Sequence, residues 1–352
     1  MNPESRVPAR EAAQRYPDPV CLVCHSNLTT HYAYGRDRLF GIVPGRFELC
    51  RCTGCGCIFQ HPVPESARLA SFYPDEYWWS DKGGRESPIT RLLHRLERSY
   101  REFVASDHVR FLERCARGRD SSRRRLLDIG FGSGTFLHLA SRRGFAVHGM
   151  DISGTAVRLV RERYGLDVRQ GDIGSESWAG SQFDFVTMFH VLEHLPDPAK
   201  GIEYAASLLK PDGSLIVQVP NVASFQAAVF GLRWYGLDVP RHIVNFTPRA
   251  LRLLLDRAGF GIQRVARFSL RDDPAGLASS LAPGLDPIRR KRERGRKKVL
   301  VEAMAEVAYF ALVLGALLPA ALAGALGRGA TLWVQARRLD RGSVPHTDRQ
   351  RL

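Results

Sequence analysis

Residues 126–140 read LLDIGFGSGTFLHLA, and no other run constrains the chain as much. The apolar stretch Leu126, Leu127, Asp128, Ile129 stops at three alternating glycines, Gly130, Gly132 and Gly134. Apolar residues at helical spacing follow, beginning with Phe136 and Leu137. Strand, glycine turn and helix in that order open a nucleotide-binding βαβ unit. Glycine has no Cβ, so the backbone can turn sharply and a ligand can lie against it. The free N–H groups at the helix start point at whatever occupies the turn.

The spacing is DxGxGxG rather than the GxGxxG of a dinucleotide fold, with Asp128 two residues before the first glycine. A carboxylate there would repel a pyrophosphate and suits a cationic or hydroxyl-bearing ligand. A second strand, AVHGM, ends at Asp151, where such folds hold ribose hydroxyls about 20 residues beyond the glycine turn. Asp172 and Ile173 follow a short third strand, and a fourth, residues 183–189, runs into His190-Val191-Leu192-Glu193-His194. The motifs DIGFGSG, HGMDIS, GDI and FDFVTMFHVLEHLPDP stand in one order and register. In that order they resemble the class I S-adenosylmethionine (SAM)-dependent methyltransferases, over residues 123–261 and a last strand near residues 329–336. The resemblance implies an α/β fold with a Rossmann-like, doubly wound, seven-stranded sheet. It implies that Gly130, Gly132 and Gly134 back the methionine part of SAM and that Asp128 holds its amino group. It places the ribose on Asp151 and the adenine against Asp172 and Ile173, with His190 lining the SAM or acceptor pocket. Quinone-pathway O-methyltransferases resemble this chain at the VLEH run, where they can hold a divalent cation with an acid at the place of His190. That acid is missing here.

Six of the seven cysteines lie between Cys21 and Cys57. Cys21 and Cys24 form one CxxC, Cys52 and Cys55 another, in the pattern of a zinc ribbon whose four thiolates close a tetrahedral structural site. Cys50 and Cys57 flank the second pair and could replace a ligand. Disulfides are the alternative, but residues 1–19 show no secretory signal, and a cytoplasmic compartment keeps thiols reduced. SAM is already activated, so zinc here would hold together a segment too small to fold alone.

Length and order suggest a flexible tail over 1–19, the cysteine module over 20–62, and an aromatic linker and helices over 63–122. The SAM-binding core is expected over 123–270, a basic loop and apolar helical hairpin over 271–328, the last core strand over 329–338 and a tail over 339–352. Residues 66–79 are dense in aromatics and serve as a packed linker or a lid. After the fifth strand, Trp234 and Tyr235 offer an aromatic wall, and Thr247-Pro248 caps the next helix. His242 is the candidate general base, because a neutral acceptor must lose a proton and histidine titrates in the right range. Its alternative is a structural histidine bonded to a carbonyl.

The formal charge of +15 invites a nucleic-acid reading, but there are only six lysines, and arginine excess is compositional as often as functional. No RNA-binding motif accompanies it, which argues against nucleic acid; the resemblance implies SAM-dependent methyl transfer, and the expected target is an oxygen or carbon of a small-molecule, sugar or lipid-linked acceptor. A zinc-module RNA methyltransferase and a non-catalytic SAM-fold binding protein are the alternatives. Residues 307–326 carry no charge and follow the basic run RRKRERGRKK. If the last strand returns to the sheet, a single membrane crossing is excluded and a hairpin dipping into one leaflet is the expectation, with residues 289–328 at the membrane surface. The expected location is the cytoplasm, with peripheral or monotopic attachment to the inner face of the membrane.

Overall fold

The computed structural model describes residues 17–73, 88–118, 124–292 and 299–339. The outer tails, the joint at 81–85, most of the aromatic run beyond Tyr73 and parts of both basic loops lie outside the described residues.

Eleven strands form two sheets among the described residues. The strands are β1 Thr29–Gly35, β2 Phe47–Cys52, β3 Ile58–His61, β4 Arg124–Ile129, β5 Phe145–Asp151 and β6 Asp167–Gln170. They continue with β7 Phe183–Phe189, β8 Leu209–Pro220, β9 Val244–Asn245, β10 Phe260–Ala266 and β11 Thr331–Arg338. The larger sheet has the order β10-β11-β8-β7-β4-β5-β6. Its β4, β5, β6, β7 and β8 run parallel, and β11 pairs antiparallel with β8 and β10. The seven-stranded, doubly wound expectation holds, and the expected last strand forms as β11, Thr331–Arg338.

Helices cover both faces: α1 Ser66–Leu69, α2 Pro88–Ala116, α3 Thr135–Ser141, α4 Gly154–Tyr164, α5 Pro198–Ser207, α6 Phe225–Phe230, α7 Pro248–Arg257, α8 Asp272–Leu281, α9 Pro287–Arg292 and α10 Val299–Ala325. Side chains alternate across a strand with a period of two. Leu126, Phe185 and Ile216 therefore pack on one face with residues of α2, α3 and α4, and Leu127, Val186 and Leu215 on the other with residues of α5 and α7. Local chemistry starts the helices as expected. Ser153 Oγ accepts from Ala156 N at 3.2 Å, and Thr247 Oγ1 from Ala250 N at 3.0 Å, with Pro248 in the first turn of α7.

The cysteine module is not a bead on a string. Its strands β1, β2 and β3 are joined by β9, which belongs to the segment after β8. The Thr247 hydroxyl donates to Cys55 O at 2.7 Å, and Arg257 donates to the carbonyls of Val23 and Cys24. Module and core share one buried cluster.

Two expectations are corrected. Residues 271–298 are not simply a loop, because α8 and α9 form within them. The apolar stretch is not a hairpin but one continuous helix, α10, with Pro319 inside it. Its Val313, Ala316 and Ala320 are buried, and Tyr309 Oη lies 3.2 Å from Ser279 Oγ of α8. Packing along α8 holds the helix together where Pro319 removes one backbone hydrogen bond.

Candidate active site

In open α/β sheets, ligands sit beyond the carboxyl ends of the strands, where the strand order reverses. Here that point lies between β4 and β7. The glycine turn is built there. Gly130 N donates to Met150 O at 2.7 Å, and Gly132 N donates to Asp151 Oδ2 at 2.9 Å. All three glycines have positive φ, +75°, +52° and +69°. A Cβ on Gly130 would lie 2.5 Å from Val191, and one on Gly134 would lie 2.7 Å from Val160. A Cβ on Gly132 would meet nothing within 4 Å, so the turn is packed from below and open above its middle glycine.

The acids around the turn differ in character. Asp128 is 3% exposed, and its Oδ1 accepts from the Thr187 hydroxyl at 2.6 Å. Burial pushes its pKa up to about 7, against the pull of that hydrogen bond. Asp151 is equally buried and takes Ser153 N on its other oxygen at 2.9 Å. Burial raises its pKa too, with both backbone bonds opposing. Asp172 is exposed and accepts from the neighbouring Ile173 N at 2.6 Å. Ile173 packs against the core.

The HVLEH run forms the opposite wall. His190 follows β7 with φ 56°, a sparsely populated backbone region for a non-glycine residue. Its Nδ1 lies 3.0 Å from Glu193 Oε1 and its Nε2 3.3 Å from Asp272 Oδ2. Burial disfavours the charged ring, but the Asp272 and Glu193 carboxylates outweigh it and raise the pKa to about 10. His190 is therefore an imidazolium held between two carboxylates. It was expected to line a pocket; its ring stays partly exposed, and both nitrogens pair with carboxylates.

Glu193 is fully buried, and its Oε2 has no hydrogen-bond partner among the described residues. One ligand-capable atom each from Glu193, His194 and His242 lies within 4.8 Å of the other two. His242 Nδ1 lies 2.9 Å from Gly236 O, and His194 Nδ1 lies 3.0 Å from Arg241 O. A carbonyl only accepts, so each Nδ1 carries the proton and each Nε2 keeps its lone pair. Burial and the neighbouring His242 hold His194 at about 4, neutral at physiological pH. One ligand-capable atom of each group thus converges, as residues do around a cation or an acidic proton, and among the described residues Glu193 Oε2 has no donor. The Tyr73 hydroxyl, 2.9 Å from His194 Nδ1, is the described end of the aromatic run.

A buried ion cluster fixes this wall to the cysteine module. Arg241 Nη2 lies 2.7 Å from Asp37 Oδ1 and 2.6 Å from Asp238 Oδ1, and Nη1 donates to Phe72 O. In the module, the sulfurs of Cys21, Cys24, Cys52 and Cys55 cluster, with Cys24 Sγ 3.4 Å from Cys52 and Cys21 Sγ 3.6 Å from Cys55. A tetrahedral thiolate zinc site has edges of about 3.8 Å, so the four donors fit one. Backbone N–H groups of Val23, Cys24 and Cys55 point at the sulfurs, as they do in knuckle turns. Cys57 lies 3.4 Å from both Cys21 and Cys55 as a fifth thiol, whereas Cys50 is buried outside the cluster.

The sequence reading passed over Glu193 and His194 as site residues, although both stand in the quoted HVLEH run. Asp272 and Arg241 carried no usable local signal for their roles, because His190 and Asp37 are distant from them in sequence.

Residues 95–265 match the family described as Methyltransferase domain. Two proteins named ubiquinone biosynthesis O-methyltransferase are similar. The one from Azorhizobium caulinodans is 30% identical over 54% of this chain and 78% of that protein. The one from Alkalilimnicola ehrlichii is 31% identical over 47% of this chain, which spans only 64% of that relative's length. A solved SAM-dependent methyltransferase from Archaeoglobus fulgidus aligns over 68% of this chain and 94% of its own, at 20% identity and TM-score 0.44. The chain belongs to the class I SAM-dependent methyltransferase family.

Proposed function

We propose that the chain moves the methyl group of SAM to a hydroxyl oxygen of a small organic acceptor, with Glu193, His194 and His242 at the acceptor end. The convergence of one ligand-capable atom from each, with Glu193 Oε2 left without a partner among the described residues, carries this reading. The names of the O-methyltransferase relatives agree with it. Sugar and lipid-linked hydroxyls fall within the proposed acceptor class.

SAM rests on the open middle of the glycine turn. Asp151 has lone pairs left for the ribose hydroxyls, and Asp172 with Ile173 borders the adenine. Asp128 faces the SAM ammonium. In the transfer, the acceptor oxygen attacks the sulfonium methyl carbon, the C–S bond breaks and S-adenosylhomocysteine leaves. The chain's main contribution is alignment. The acceptor hydroxyl must also lose its proton, and His242 Nε2 is fixed as a lone pair to receive it. The same three groups fit a divalent cation, with His242 standing in for the acid missing at position 190. When bound, such a cation would lower the pKa of the acceptor hydroxyl. His190 holds Glu193 in place.

His242→Ala is expected to lower kcat/KM by about 10²- to 10⁴-fold while leaving SAM affinity within about twofold; equal loss of SAM binding would sink the assignment. Chelation separates the two forms of the idea. Activity lost to a chelator and restored by magnesium or manganese supports the cation; chelator-resistant activity leaves His242 as base alone. We also assign the Cys21, Cys24, Cys52 and Cys55 thiolates to one structural zinc, so metal analysis should find a zinc that survives dialysis.

Asp128 predicts a pH dependence. In the SAM-free protein it titrates at about 7. A cationic ammonium against it lowers that value, so SAM binding near neutral pH releases a proton. Below about pH 7 the carboxylate must first deprotonate, and SAM affinity should fall by up to about tenfold per pH unit. Calorimetry in buffers of different ionisation enthalpy reads the proton directly. An affinity flat across that range would remove Asp128 from the ammonium.

A further inference from the structure

Helix α10 leaves a long apolar strip uncovered. Met304, Val307, Leu314, Leu318, Leu322 and Leu326 are all exposed, from 54% to 79%. They recur at steps of three, four and seven, so they lie along one side of the helix. At 1.5 Å per residue the strip is about 33 Å long. The opposite side, Val313, Ala316 and Ala320, packs onto the protein. The outer leucines therefore contribute nothing to the fold, and contiguous exposed apolar surface of this size marks an interaction site.

The charge at its ends says what kind. The ten residues 289–298, which lead into the helix, hold eight lysines and arginines and one glutamate. An exposed Arg328 follows it. Between Val307 and Gly327 there is no charged residue. Cations bracketing an apolar strip place the strip at acyl-chain depth and the cations at anionic phosphates. The strip continues onto α6, where Phe225 and Val229 are 54% and 57% exposed, and Phe225 N donates to Arg328 O at 2.9 Å.

By length and composition α10 could cross a bilayer. Its connections forbid that. Arg290 of α9 donates to Glu302 O at its start, and its end passes through Gly327 into β11, inside the large sheet. Both ends belong to one domain, so the helix can only lie flat.

We propose that the outer face of α10 docks the protein on an anionic lipid bilayer, in the plane of the interface, with the inner face remaining on α8. Docking is independent of the methyltransferase reading. It bears on that reading because α8 begins at Asp272, the carboxylate paired with His190. An acceptor dissolved in the same leaflet would enter a site already held at the membrane.

The test is co-sedimentation of the full chain with phosphatidylcholine vesicles, with and without a quarter phosphatidylglycerol. The wild-type protein should pellet with the anionic vesicles at least about tenfold more strongly than with the neutral ones, and less at high salt. Leu314→Glu with Leu318→Glu, both on the outer face, should abolish pelleting while leaving melting temperature and SAM affinity unchanged. Wild-type protein that stays in the supernatant overturns the proposal, as does a double variant that pellets like wild type. So does a lipid-free dimer that the double variant converts to monomer, since a second copy would then own this face. No methyl transfer is measured, so failure here is distinct from failure of the enzymatic reading.

Discussion

Gly132→Ala should leave a folded protein with SAM affinity cut about 100-fold, whereas Gly130→Ala, two residues earlier, should destabilise the fold by about 2–5 kcal/mol. At Gly132 the added methyl meets no atom of the chain within 4 Å. The fold then bears only the left-handed backbone, about 1–2 kcal/mol at φ +52°. The methyl does occupy the space above the turn, where the backbone must approach its ligand. A weakening of SAM binding by about 100-fold, some 3 kcal/mol, is expected. At Gly130 the methyl would stand 2.5 Å from Val191 Cγ2 at φ +75°. Overpacking adds about 1–3 kcal/mol to the backbone cost. Thermal melts paired with SAM calorimetry separate the two. If Gly132→Ala binds SAM as wild type does, the ligand does not lie over the middle glycine.

The second large effect is expected at Arg241. Its side chain is fully buried, as is that of Asp37, and Asp238 is nearly so. The guanidinium fork reaches both carboxylates at once, with Nε 3.0 Å from each Asp238 oxygen. Arg241→Ala would strand two carboxylates in the interior. Breaking a buried pair from one side costs about 3–5 kcal/mol, which for a chain of this size is a fall in Tm of roughly 4–7 °C. Arg241→Lys keeps the charge but not the fork, and should fall between. The loss should reach the site as well, because His242 is the next residue and Arg241 O holds His194. Acid should reproduce part of it. Burial works against ionisation of Asp37, but the Arg241 guanidinium wins and lowers its pKa below 3.8. That stabilisation is present above pH 3.8 and is lost as the pH falls through the lower folded value. An Arg241→Ala melt indistinguishable from wild type would mean that the ion cluster does not clamp the module.

The glycine-turn half of the proposed site was legible because it is local. Strand end, three glycines and helix start are consecutive, and Asp128, Asp151 and Asp172 each stand at the end of a strand or just past one. Hydrogen bonds between neighbours in sequence, such as Gly134 N to Phe131 O, build that turn. The acceptor half was legible only in pieces. His242 was chosen for its chemistry, and HVLEH was noticed, but nothing in either segment says that they meet. That meeting depends on β9 adding to the edge of β3 and on Arg241 holding its loop against Asp37. The residue type at 190 pointed to a pocket wall. The fold supplied Asp272 on its other side and made it a partly exposed cation between two carboxylates. Cys57 was recognised only as a substitute ligand, and the turn after Cys55 brings it to the cluster as a neighbour.

The same division holds for α10. An uncharged run of twenty residues specified apolar helical structure, and a hairpin was the expectation drawn from it. Tertiary structure decided for one continuous helix, because α8 forms in what read as a loop and offers small side chains to pack on. By itself the sequence determined the doubly wound sheet, the glycine turn and the two CxxC pairs, since short-range periodicity and spacing encode them. Only the tertiary structure decided which distant side chains share a site, because contacts between segments far apart in sequence arise from packing that no local pattern records.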